Sequence, residues 1–334
     1  MKIAINGFGR IGRSVFRIIN ARDDFEVVAI NDISPSDTLV YLLKYDTVMG
    51  RFPDKVVLRK GDILETSKSK VKMLEERDPA VLPWKELGID VVIEATGRFR
   101  HREKLEPHLK AGAKRVLLTV PAKDEIDYTV VIGVNDDGLK KEHRIISNAS
   151  CTTNCLAPMA KVLNDAFGIE YGAINTIHAY TNDQRLADVP HSDWRRGRTA
   201  AENVIPTTTG AARAVGVVLP ELKGKLDGIA TRVPVPDGSV VDLVAKLKQD
   251  VTAEQIHGAI KVAASSKRLK NVLQYSTLPV VSSDIIGNPH SSIYDAPFTR
   301  VIEGNFVKTL NWYDNEWGYS NRVVDLIDLV GDLD

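Results

Sequence analysis

The sequence predicts an α/β domain with a mostly parallel sheet, followed by an α+β domain with an antiparallel sheet. Its 334 residues are enough for two domains of roughly 150 residues each. The first part of the chain alternates short β-branched runs with longer charged stretches, which is the pattern of βαβ units. Beyond residue 150 the strand-like runs are grouped instead, and this indicates an antiparallel sheet.

Five strands and three helices are predicted in the first domain, residues 1–150. The strands are Lys2–Ile5, Val27–Ile30, Val91–Glu94, Val116–Thr119 and Thr129–Val134. The helices are Gly9–Arg22, Thr38–Tyr45 and Arg102–Ala111. Pro107 lies inside the last helix, and because proline lacks an N–H and crowds the preceding turn, we expect it to kink and interrupt that helix.

The second domain, residues 151–314, is predicted to hold three helices and five strands. The helices are Thr152–Phe167, Gly210–Leu219 and Ala253–Ser265. The strands are Gly172–Ala179, Leu226–Val233, Val240–Gln249, Ser291–Asp295 and Phe306–Trp312. The polar segment Asn182–Arg198 is long for a connection, and such loops are often functional. Ser320–Leu329 has the pattern of a closing amphipathic helix.

Composition and charge exclude several classes of protein. Apolar residues make up 43% of the chain, and 44 basic residues balance 44 acidic ones. A net charge of zero gives no bulk attraction to nucleic acid or to acidic membranes, so neither is expected as a primary partner. The start of the chain lacks the apolar core of a signal peptide, and we expect a cytoplasmic protein. With two cysteines, neither a disulfide framework nor a metal site is expected.

A dinucleotide-binding fingerprint opens the chain. Gly7, Gly9 and Gly12 form Gly-x-Gly-x-x-Gly between a predicted strand and a predicted helix. Asp32 ends the second strand, 20 residues after Gly12. The glycines allow a tight turn and close approach of a pyrophosphate, and the acid accepts hydrogen bonds from ribose hydroxyls. Because a carboxylate repels a 2′-phosphate, NAD is favoured over NADP. The alternative is a glycine-rich turn that binds no ligand.

Cys151 is the candidate nucleophile. Ser150 is a plausible N-cap, which places Cys151 in the first turn of a helix, where free amides and the helix dipole favour a thiolate. His178 is the candidate base. The alternative for a lone cysteine is a small buried apolar residue, and this is the interpretation for Cys155. His101, His108, His143 and His257 lie in charged or polar surroundings and are expected to be solvated.

A cysteine, a histidine and a dinucleotide together suggest covalent oxidation of an aldehyde. The thiolate would attack the aldehyde to give a thiohemiacetal, and His178 would take the hydroxyl proton while hydride leaves to the nicotinamide. The resulting thioester would then be cleaved by an acceptor.

Runs along the whole chain resemble the phosphorylating glyceraldehyde-3-phosphate dehydrogenase family. The most specific is Ala149-Ser-Cys-Thr-Thr-Asn154. The other runs begin at Ile5, Asn31, Leu43, Glu94, His178, Pro206, Arg232, Ser282 and Trp312. The resemblance implies a Rossmann domain and a catalytic domain, with the C-terminal helix, residues 315–334, packing back on the first domain. It also implies a homotetramer that converts glyceraldehyde 3-phosphate, NAD and inorganic phosphate to 1,3-bisphosphoglycerate.

The resemblance also assigns roles to individual residues. Cys151 would be the nucleophile and His178 the base. NAD would be contacted by Arg10, Ile11, Asp32, Arg77, Thr119 and Asn315, beside the glycines of the fingerprint. Inorganic phosphate would be bound by Ser150, Thr152, Thr209 and Gly210. The phosphate of the substrate would be bound by Thr181, Arg196 and Arg232, each arginine being otherwise a surface ion pair.

Three alternatives stay open. Erythrose-4-phosphate dehydrogenase shares the cysteine run but typically lacks Thr-Thr-Thr-Gly, which is present here at Thr207–Gly210. An NADP-using gluconeogenic paralogue is disfavoured by Asp32, Ile33 and Val189. A binding protein that uses the nucleotide groove for RNA or for a partner is disfavoured by the intact Cys151 and His178. Thr119 stands where the family usually has serine, and the hydroxyl is kept.

Overall fold

A computed structural model describes residues 1–333 of the chain. The described chain separates into two compact units. Unit 1 comprises Met1–Val130, Asp137–Ala149 and the chain from Ser320 onward, and unit 2 comprises Val131–Asp136 and Ser150–Tyr319. Asp334, the last residue of the predicted C-terminal helix, lies outside the described residues. No helix of residues 1–333 is long and apolar enough to cross a bilayer.

Unit 1 contains a nine-stranded sheet. Its strands are β1 (Lys2–Asn6), β2 (Glu26–Asn31), β3 (Val57–Arg59), β4 (Ile63–Glu65), β5 (Lys70–Leu74), β6 (Val91–Glu94), β7 (Arg115–Leu118), β8 (Tyr128–Thr129) and β9 (Ile145–Ser147). Its helices are α1 (Arg10–Asn20), α2 (Ser36–Lys44), α3 (Trp84–Leu87) and α4 (Arg102–Lys110). The strands are ordered β3-β4-β5-β2-β1-β6-β7-β9-β8, and only the pairs β3–β4 and β4–β5 are antiparallel.

The central strands of this sheet are apolar on both faces. Ile3, Ala4 and Ile5 of β1 and Val91 to Ile93 of β6 are all completely buried. Continuous apolar strands are typical of a parallel sheet that is covered on both sides. The order places the carboxyl ends of β2, β1 and β6 next to one another, on either side of the point where the strand order reverses.

Two predictions for unit 1 are wrong. The expected strand Thr129–Val134 ends at Thr129, because a turn follows in which Gly133 has φ +81° and Val134 N–H donates to Val131 O. Helix α4 continues through Pro107 without interruption. The N–H that Pro107 lacks would have bonded the carbonyl of Glu103, an exposed residue of the first turn, where water can take its place.

Unit 2 contains an eight-stranded, mostly antiparallel sheet. Its strands are β10 (Ile169–Ala179), β11 (Ile205–Thr208), β12 (Leu226–Val233), β13 (Ser239–Leu247), β14 (Leu273–Ser276), β15 (Ser292–Asp295), β16 (Arg300–Ile302) and β17 (Phe306–Tyr313). Its helices are α5 (Cys151–Phe167), α6 (Ala211–Val218), α7 (Ala253–Ser265) and α8 (Ser282–Ile285). The path β11-β12-β10-β13-β17-β15-β14 runs across the sheet, and β16 pairs with β17. The predicted fold class is confirmed.

The parallel pairing of β10 with β12 sets up part of the site, because it places His178 directly opposite Arg232. Helix α5 begins at Cys151, and its N-cap Ser150 accepts a hydrogen bond from the Thr153 amide at 3.0 Å. The last helix, α9 (Trp317–Gly331), belongs to unit 1 from Ser320 onward. There Asp328 accepts two hydrogen bonds from Arg22, of 2.8 and 2.9 Å.

Candidate active site

A cavity of about 430 Å³ opens in unit 1 at the carboxyl ends of β1, β2 and β6. Its lining includes four of the predicted NAD residues, Gly7, Gly9, Asp32 and Arg77. Open α/β sheets bind ligands at this edge, where the strand order reverses. Ile33, which the sequence analysis used to favour NAD over NADP, also lines the cavity. The remaining lining residues were not given a role by sequence reasoning: Asn6, Asn31, Glu76, Ala95, Thr96, Arg98 and Phe99.

Two of the three fingerprint glycines have no room for a side chain, and the third borders open space. Gly7 has φ +95°, and a Cβ there would lie 2.6 Å from the Thr96 backbone nitrogen. A Cβ at Gly12 would collide with the carbonyl oxygen of Gly7. A Cβ at Gly9 would meet no protein atom within 4 Å. The open space at Gly9 therefore fits close approach of a ligand phosphate to the backbone.

The Asp32 carboxylate is oriented by two backbone amides. Oδ2 accepts a hydrogen bond from Phe8 N–H at 2.8 Å, and Oδ1 accepts one from Ser34 N–H at 2.9 Å. Each carboxylate oxygen has a second lone pair, so the group fits ribose hydroxyls at the cavity wall. Cavity, glycine turn and acid together fit an adenine dinucleotide.

The other predicted NAD residues do not line this cavity. Arg10 forms an ion pair with Asp46. Thr119 is buried, and its hydroxyl donates to the Glu94 carbonyl oxygen at 3.1 Å. Ile11, like Arg10, Gly12 and Thr119, is absent from the cavity lining. Asn315 lies in unit 2, where its Oδ1 accepts the Ser239 hydroxyl at 2.6 Å.

A buried polar cluster lies behind the cavity, and it corrects one prediction. His108, expected to be solvated, is completely buried, as is Glu94. Trp84 Nε1 donates to His108 Nδ1 at 3.0 Å, so Nδ1 carries no proton and Nε2–H donates to Glu94 Oε2 at 3.2 Å. The amide of Asn6 donates to the same carboxylate oxygen at 2.6 Å. His108 lies on the buried side of α4. The charged residues next to it in the sequence gave no indication of this.

The same cluster holds the wall of the cavity. Glu94 Oε1 accepts from the Thr96 amide at 2.9 Å and from the Thr96 hydroxyl. Asn31 donates to Asn6 Oδ1 at 2.7 Å and exchanges two hydrogen bonds with the backbone of Glu76. Four cavity-lining residues thus share one network. The run Glu94-Ala-Thr-Gly97 was the available signal, but the run alone assigns no role to its members.

In unit 2, the predicted nucleophile and base are in contact. Cys151 Sγ lies 3.5 Å from His178 Nε2. Cys151 is the first residue of α5, and His178 is 5% exposed near the end of β10. Cys155, one turn further along α5, is completely buried beside Ser292 and the Asn311 carbonyl. The site therefore contains Cys151 and excludes Cys155.

Burial opposes ionisation of each member of the pair. Burial raises the pKa of the Cys151 thiol to about 11, although Arg232 and hydrogen bonds from Thr152 act in the opposite direction. Burial also lowers the pKa of His178 to about 3, and the positive charge of Arg232 adds to this effect. Desolvation of Cys151 thus opposes the stabilisation of a thiolate that we expect from the start of α5.

Tyr313 and Thr176 belong to this site and were missed. The Tyr313 hydroxyl lies 2.8 Å from both Thr152 Oγ1 and Thr176 Oγ1. Its ring meets the His178 ring edge-on, with centroids 5.9 Å apart. The Thr152 side chain, predicted to bind phosphate, is thus buried against Tyr313. A tyrosine at the end of an alternating strand gives no sequence signal that distinguishes such a role from core packing.

The other predicted phosphate ligands divide into two groups. Ser150 caps α5, and Thr209 with Gly210 precedes α6, so that both sets lie at helix N-termini in the same unit. Thr181 and Arg196 instead both bind Asp183, Arg196 at 2.6 Å. Arg196 also donates to Thr207 Oγ1 and to the Thr208 carbonyl, which ties its loop to β11.

Arg232 lies against the base. Its Nη1 is 2.7 Å from His178 Nδ1 and donates to the Ala179 carbonyl oxygen at 3.0 Å. Its buried Nε–H has no hydrogen-bond partner within residues 1–333. Within the same residues no group of three or more His, Cys, Asp or Glu side chains is arranged to hold a metal ion.

The dinucleotide fold of unit 1 and the cysteine–histidine pair of unit 2 define an NAD-dependent oxidoreductase. Two family models match the chain: "Glyceraldehyde 3-phosphate dehydrogenase, NAD binding domain" over residues 1–102, and "Glyceraldehyde 3-phosphate dehydrogenase, C-terminal domain" over residues 150–315. The chain belongs to the glyceraldehyde-3-phosphate dehydrogenase family.

Curated relatives cover nearly the full length. A glyceraldehyde-3-phosphate dehydrogenase of Mycobacterium avium is 56% identical over 337 residues, 99% of this chain and 98% of that protein. Proteins of the same name from Streptomyces coelicolor and Mycolicibacterium smegmatis are 55% and 54% identical, with the same coverage of 99% and 98%.

Proposed function

We propose that this protein oxidises D-glyceraldehyde 3-phosphate to 1,3-bisphosphoglycerate in glycolysis, with NAD and inorganic phosphate, through a covalent intermediate on Cys151. The observation that carries the proposal is the 3.5 Å contact between Cys151 Sγ and His178 Nε2 at the start of α5. Residues 1–150 would form the NAD-binding domain, together with the C-terminal helix 315–334, and residues 151–314 the catalytic domain.

The pKa values of the pair favour a concerted use of its proton. Burial opposes ionisation of either group alone, since it raises the pKa of the Cys151 thiol to about 11 and lowers the pKa of His178 to about 3. Transfer of the proton from Sγ to Nε2 leaves the net charge of the site unchanged and places opposite charges in contact. His178 therefore acts as the general base for Cys151.

The chemistry follows from this transfer. Sγ bonds to the aldehyde carbon while its proton passes to Nε2, and the imidazolium returns that proton to the new alkoxide to give a thiohemiacetal. NAD, when bound by the residues of the unit 1 cavity with Asp32 at the ribose, supplies the hydride acceptor for oxidation. His178 takes the hydroxyl proton in this step. A phosphate oxygen then attacks the thioester carbon, the Cys151 thiolate leaves, and His178 returns the proton to it.

Two sets of donors support binding of two phosphates. Ser150, Thr152, Thr209 and Gly210 would hold inorganic phosphate, since the helix starts at α5 and α6 offer hydroxyls and amides. Arg232, with Thr181 and Arg196, would hold the phosphate of the substrate. Arg232 Nε–H is buried without an acceptor, and a phosphate oxygen would satisfy it.

We further propose that the protein is a cytoplasmic homotetramer. Trp194 and Leu186 are 89% and 83% exposed in the long loop between β10 and β11. Apolar side chains this exposed indicate a surface that another chain covers.

The test is NADH formation by the purified protein with glyceraldehyde 3-phosphate, with and without phosphate. We expect turnover to require phosphate or arsenate, and to prefer NAD over NADP. Equal turnover without either anion would mean that water cleaves the thioester, and the phosphorylating assignment would fail. Faster oxidation of erythrose 4-phosphate, or a preference for NADP, would favour the alternative dehydrogenases instead.

A further inference from the structure

A buried hydroxyl group connects the base of the site with a predicted cofactor residue. Ser239, the first residue of β13, is completely buried. Its Oγ accepts a hydrogen bond from the Ala179 amide at 3.0 Å and donates one to Asn315 Oδ1 at 2.6 Å. Ala179 directly follows His178 at the end of β10. Ser239 therefore bridges the strand that carries His178 and the turn that carries Asn315.

The Ser239 hydroxyl determines which way the Asn315 amide faces. The Ala179 N–H can only donate to Oγ, and within residues 1–333 the hydroxyl proton has one acceptor, Asn315 Oδ1. If the Asn315 amide were turned over, its N–H₂ group would be a second donor to Oγ, and the hydroxyl proton would lose its acceptor. Such a loss is costly for a completely buried hydroxyl. Oδ1 is therefore held toward Ser239, and Nδ2 faces away from it.

The backbone around Asn315 is fixed as well. The neighbouring Asp314 is buried, and its Oδ1 accepts the amides of Glu316 and Trp317 at 2.9 and 2.5 Å. Its Oδ2 accepts the Gly287 amide at 2.7 Å. Nδ2 of Asn315 forms no hydrogen bond within residues 1–333. An N–H₂ group that is held in place but has no acceptor is suited to bind a carbonyl oxygen of a ligand.

We infer that Ser239 is a positioning residue for the cofactor: its hydroxyl orients the Asn315 amide so that Nδ2 donates to the carboxamide oxygen of the nicotinamide. The inference rests on the proposed function, in which Asn315 contacts NAD. The Ser239 bridge ties Asn315 to the strand of the base, and the base acts where hydride leaves to the nicotinamide. The carboxamide oxygen is the hydrogen-bond acceptor of that ring. Ser239 is completely buried and acts through Asn315.

Calorimetric titration with NAD and with ADP-ribose, which lacks the nicotinamide, measures this role without turnover. Ser239→Ala lets the Asn315 amide turn over, and we expect Kd for NAD to rise roughly 3- to 10-fold, the usual effect of one hydrogen bond. Kd for ADP-ribose should stay at its wild-type value, because the bridge supports only the nicotinamide end. Ser239→Thr keeps the hydroxyl and should keep most of the NAD affinity.

Ser292→Ala is the matched control. It removes the hydroxyl of another completely buried serine of unit 2, which accepts a hydrogen bond from Asn311 at 2.9 Å. Both Kd values should stay as in the wild type.

A double-mutant cycle separates positioning from a general loss of structure. Asn315→Ala should raise Kd for NAD by at least the same factor. Adding Ser239→Ala to it should cause no further rise, because the residue through which Ser239 acts is gone. A further loss of affinity in the double variant, or equal rises in Kd for NAD and ADP-ribose in Ser239→Ala, would overturn the inference. This cycle decides the question even if the extra methyl group of Ser239→Thr prevents folding.

The same titrations distinguish failure of the inference from failure of the proposed function. If Asn315→Ala weakens NAD binding and Ser239→Ala does not, Asn315 is a cofactor contact and the role of Ser239 is wrong. If neither variant changes Kd for NAD, the inference fails together with the role of Asn315, while wild-type binding of NAD still supports the proposed function. If the wild type does not bind NAD, both are wrong.

Discussion

The two units each bury a histidine beside an ionisable partner, and they do so in opposite ways. Around Glu94 and His108 in unit 1, every donor meets an acceptor, and one tautomer satisfies the cluster. Around Cys151 and His178 in unit 2, His178 Nδ1 lies between a backbone carbonyl, which only accepts, and Arg232, which only donates, and Arg232 Nε–H has no partner within the described chain. A buried network in which every donor and acceptor is paired stabilises one conformation. A buried group without a partner can instead bind a ligand.

The two buried carboxylates extend the comparison. Glu94 accepts four hydrogen bonds, from Asn6, His108 and the amide and hydroxyl of Thr96. Asp237 of unit 2 is equally buried; within residues 1–333 its Oδ1 accepts the Gly238 amide, and its carboxyl group lies against Asp314. Burial, followed by the charge of Asp314, raises the pKa of Asp237 to about 9. The first carboxylate is stabilised by its donors, whereas burial beside a second carboxyl group disfavours ionisation of Asp237.

The largest effect on the reaction rate is expected in unit 2, at Cys151 beside His178. Cys151→Ser should lower kcat by roughly 10⁴- to 10⁶-fold, because an alcohol is a far weaker nucleophile near neutral pH. NAD binding, which depends on unit 1, should persist. Cys155→Ala is the matched control and should keep its rate with some loss of stability, since Cys155 is completely buried. A kcat near wild type for Cys151→Ser, measured by NADH formation, would remove Cys151 from the mechanism.

His178→Asn should slow oxidation by roughly 100- to 10,000-fold, which is the usual contribution of a general base. It should also slow alkylation of Cys151 near pH 7, because the thiol loses its proton acceptor. His101→Asn, an exposed histidine of unit 1, serves as the control. If His178→Asn leaves both rates unchanged, the 3.5 Å contact has no chemical role.

The sequence predicted some elements of unit 1 correctly and missed others. The central strands of unit 1 were predicted because buried parallel strands are uniformly apolar. The hairpin formed by β3, β4 and β5 was missed, because its strands are short and partly exposed, although Gly61-Asp62 is a turn signal between β3 and β4. Pro107 was overweighted because its lost hydrogen bond falls on an exposed first turn.

Site residues were predictable where they belong to a sequence motif with a known chemical role. Gly7, Gly9 and Asp32 line the cavity, and Cys151 meets His178, as their residue types and spacing indicated. His108 and Tyr313 were not predictable, because no residue pattern assigns either of them a chemical role or a partner; the partners are Trp84, 24 residues from His108, and Thr152, 161 residues from Tyr313. Contacts set by the register of separate elements leave no signal in one sequence.

A smaller effect, on stability and on NAD binding, is expected from changing Glu94 in the buried cluster of unit 1. Glu94→Gln brings an N–H₂ group into a position where four groups donate, which should cost about 1–3 kcal/mol in the free energy of unfolding. KM for NAD should rise several-fold, while KM for the aldehyde stays close to wild type. Glu103→Gln, exposed on α4, is the control. Equal rises in both KM values would show that Glu94 does not act through the cavity.

The last effect, which is similar in size but is the only gain in stability, is expected at Asp237. Folding raises the pKa of Asp237 from 3.8 to about 9. The contribution of this group to the free energy of unfolding is therefore fully present below pH 3.8 and is lost progressively as pH rises toward 9. Asp237→Asn keeps the shape of the protonated acid and should stabilise the protein by about 1–3 kcal/mol at pH 7, with little effect at pH 4. Thermal unfolding at both pH values measures this, with the exposed Asp165→Asn as control. Destabilisation at pH 7 would show that Asp237 is ionised and bound.

The most direct test of the covalent account is the amplitude of the first turnover without phosphate. Enzyme, NAD and glyceraldehyde 3-phosphate are mixed rapidly, and NADH is followed spectroscopically. If the acyl group stays on Cys151 until phosphate attacks it, a burst of about one NADH per chain should precede a slow phase, and added phosphate should restore steady turnover. Steady NADH formation at the full rate without a burst, or no NADH until phosphate is added, would contradict the account.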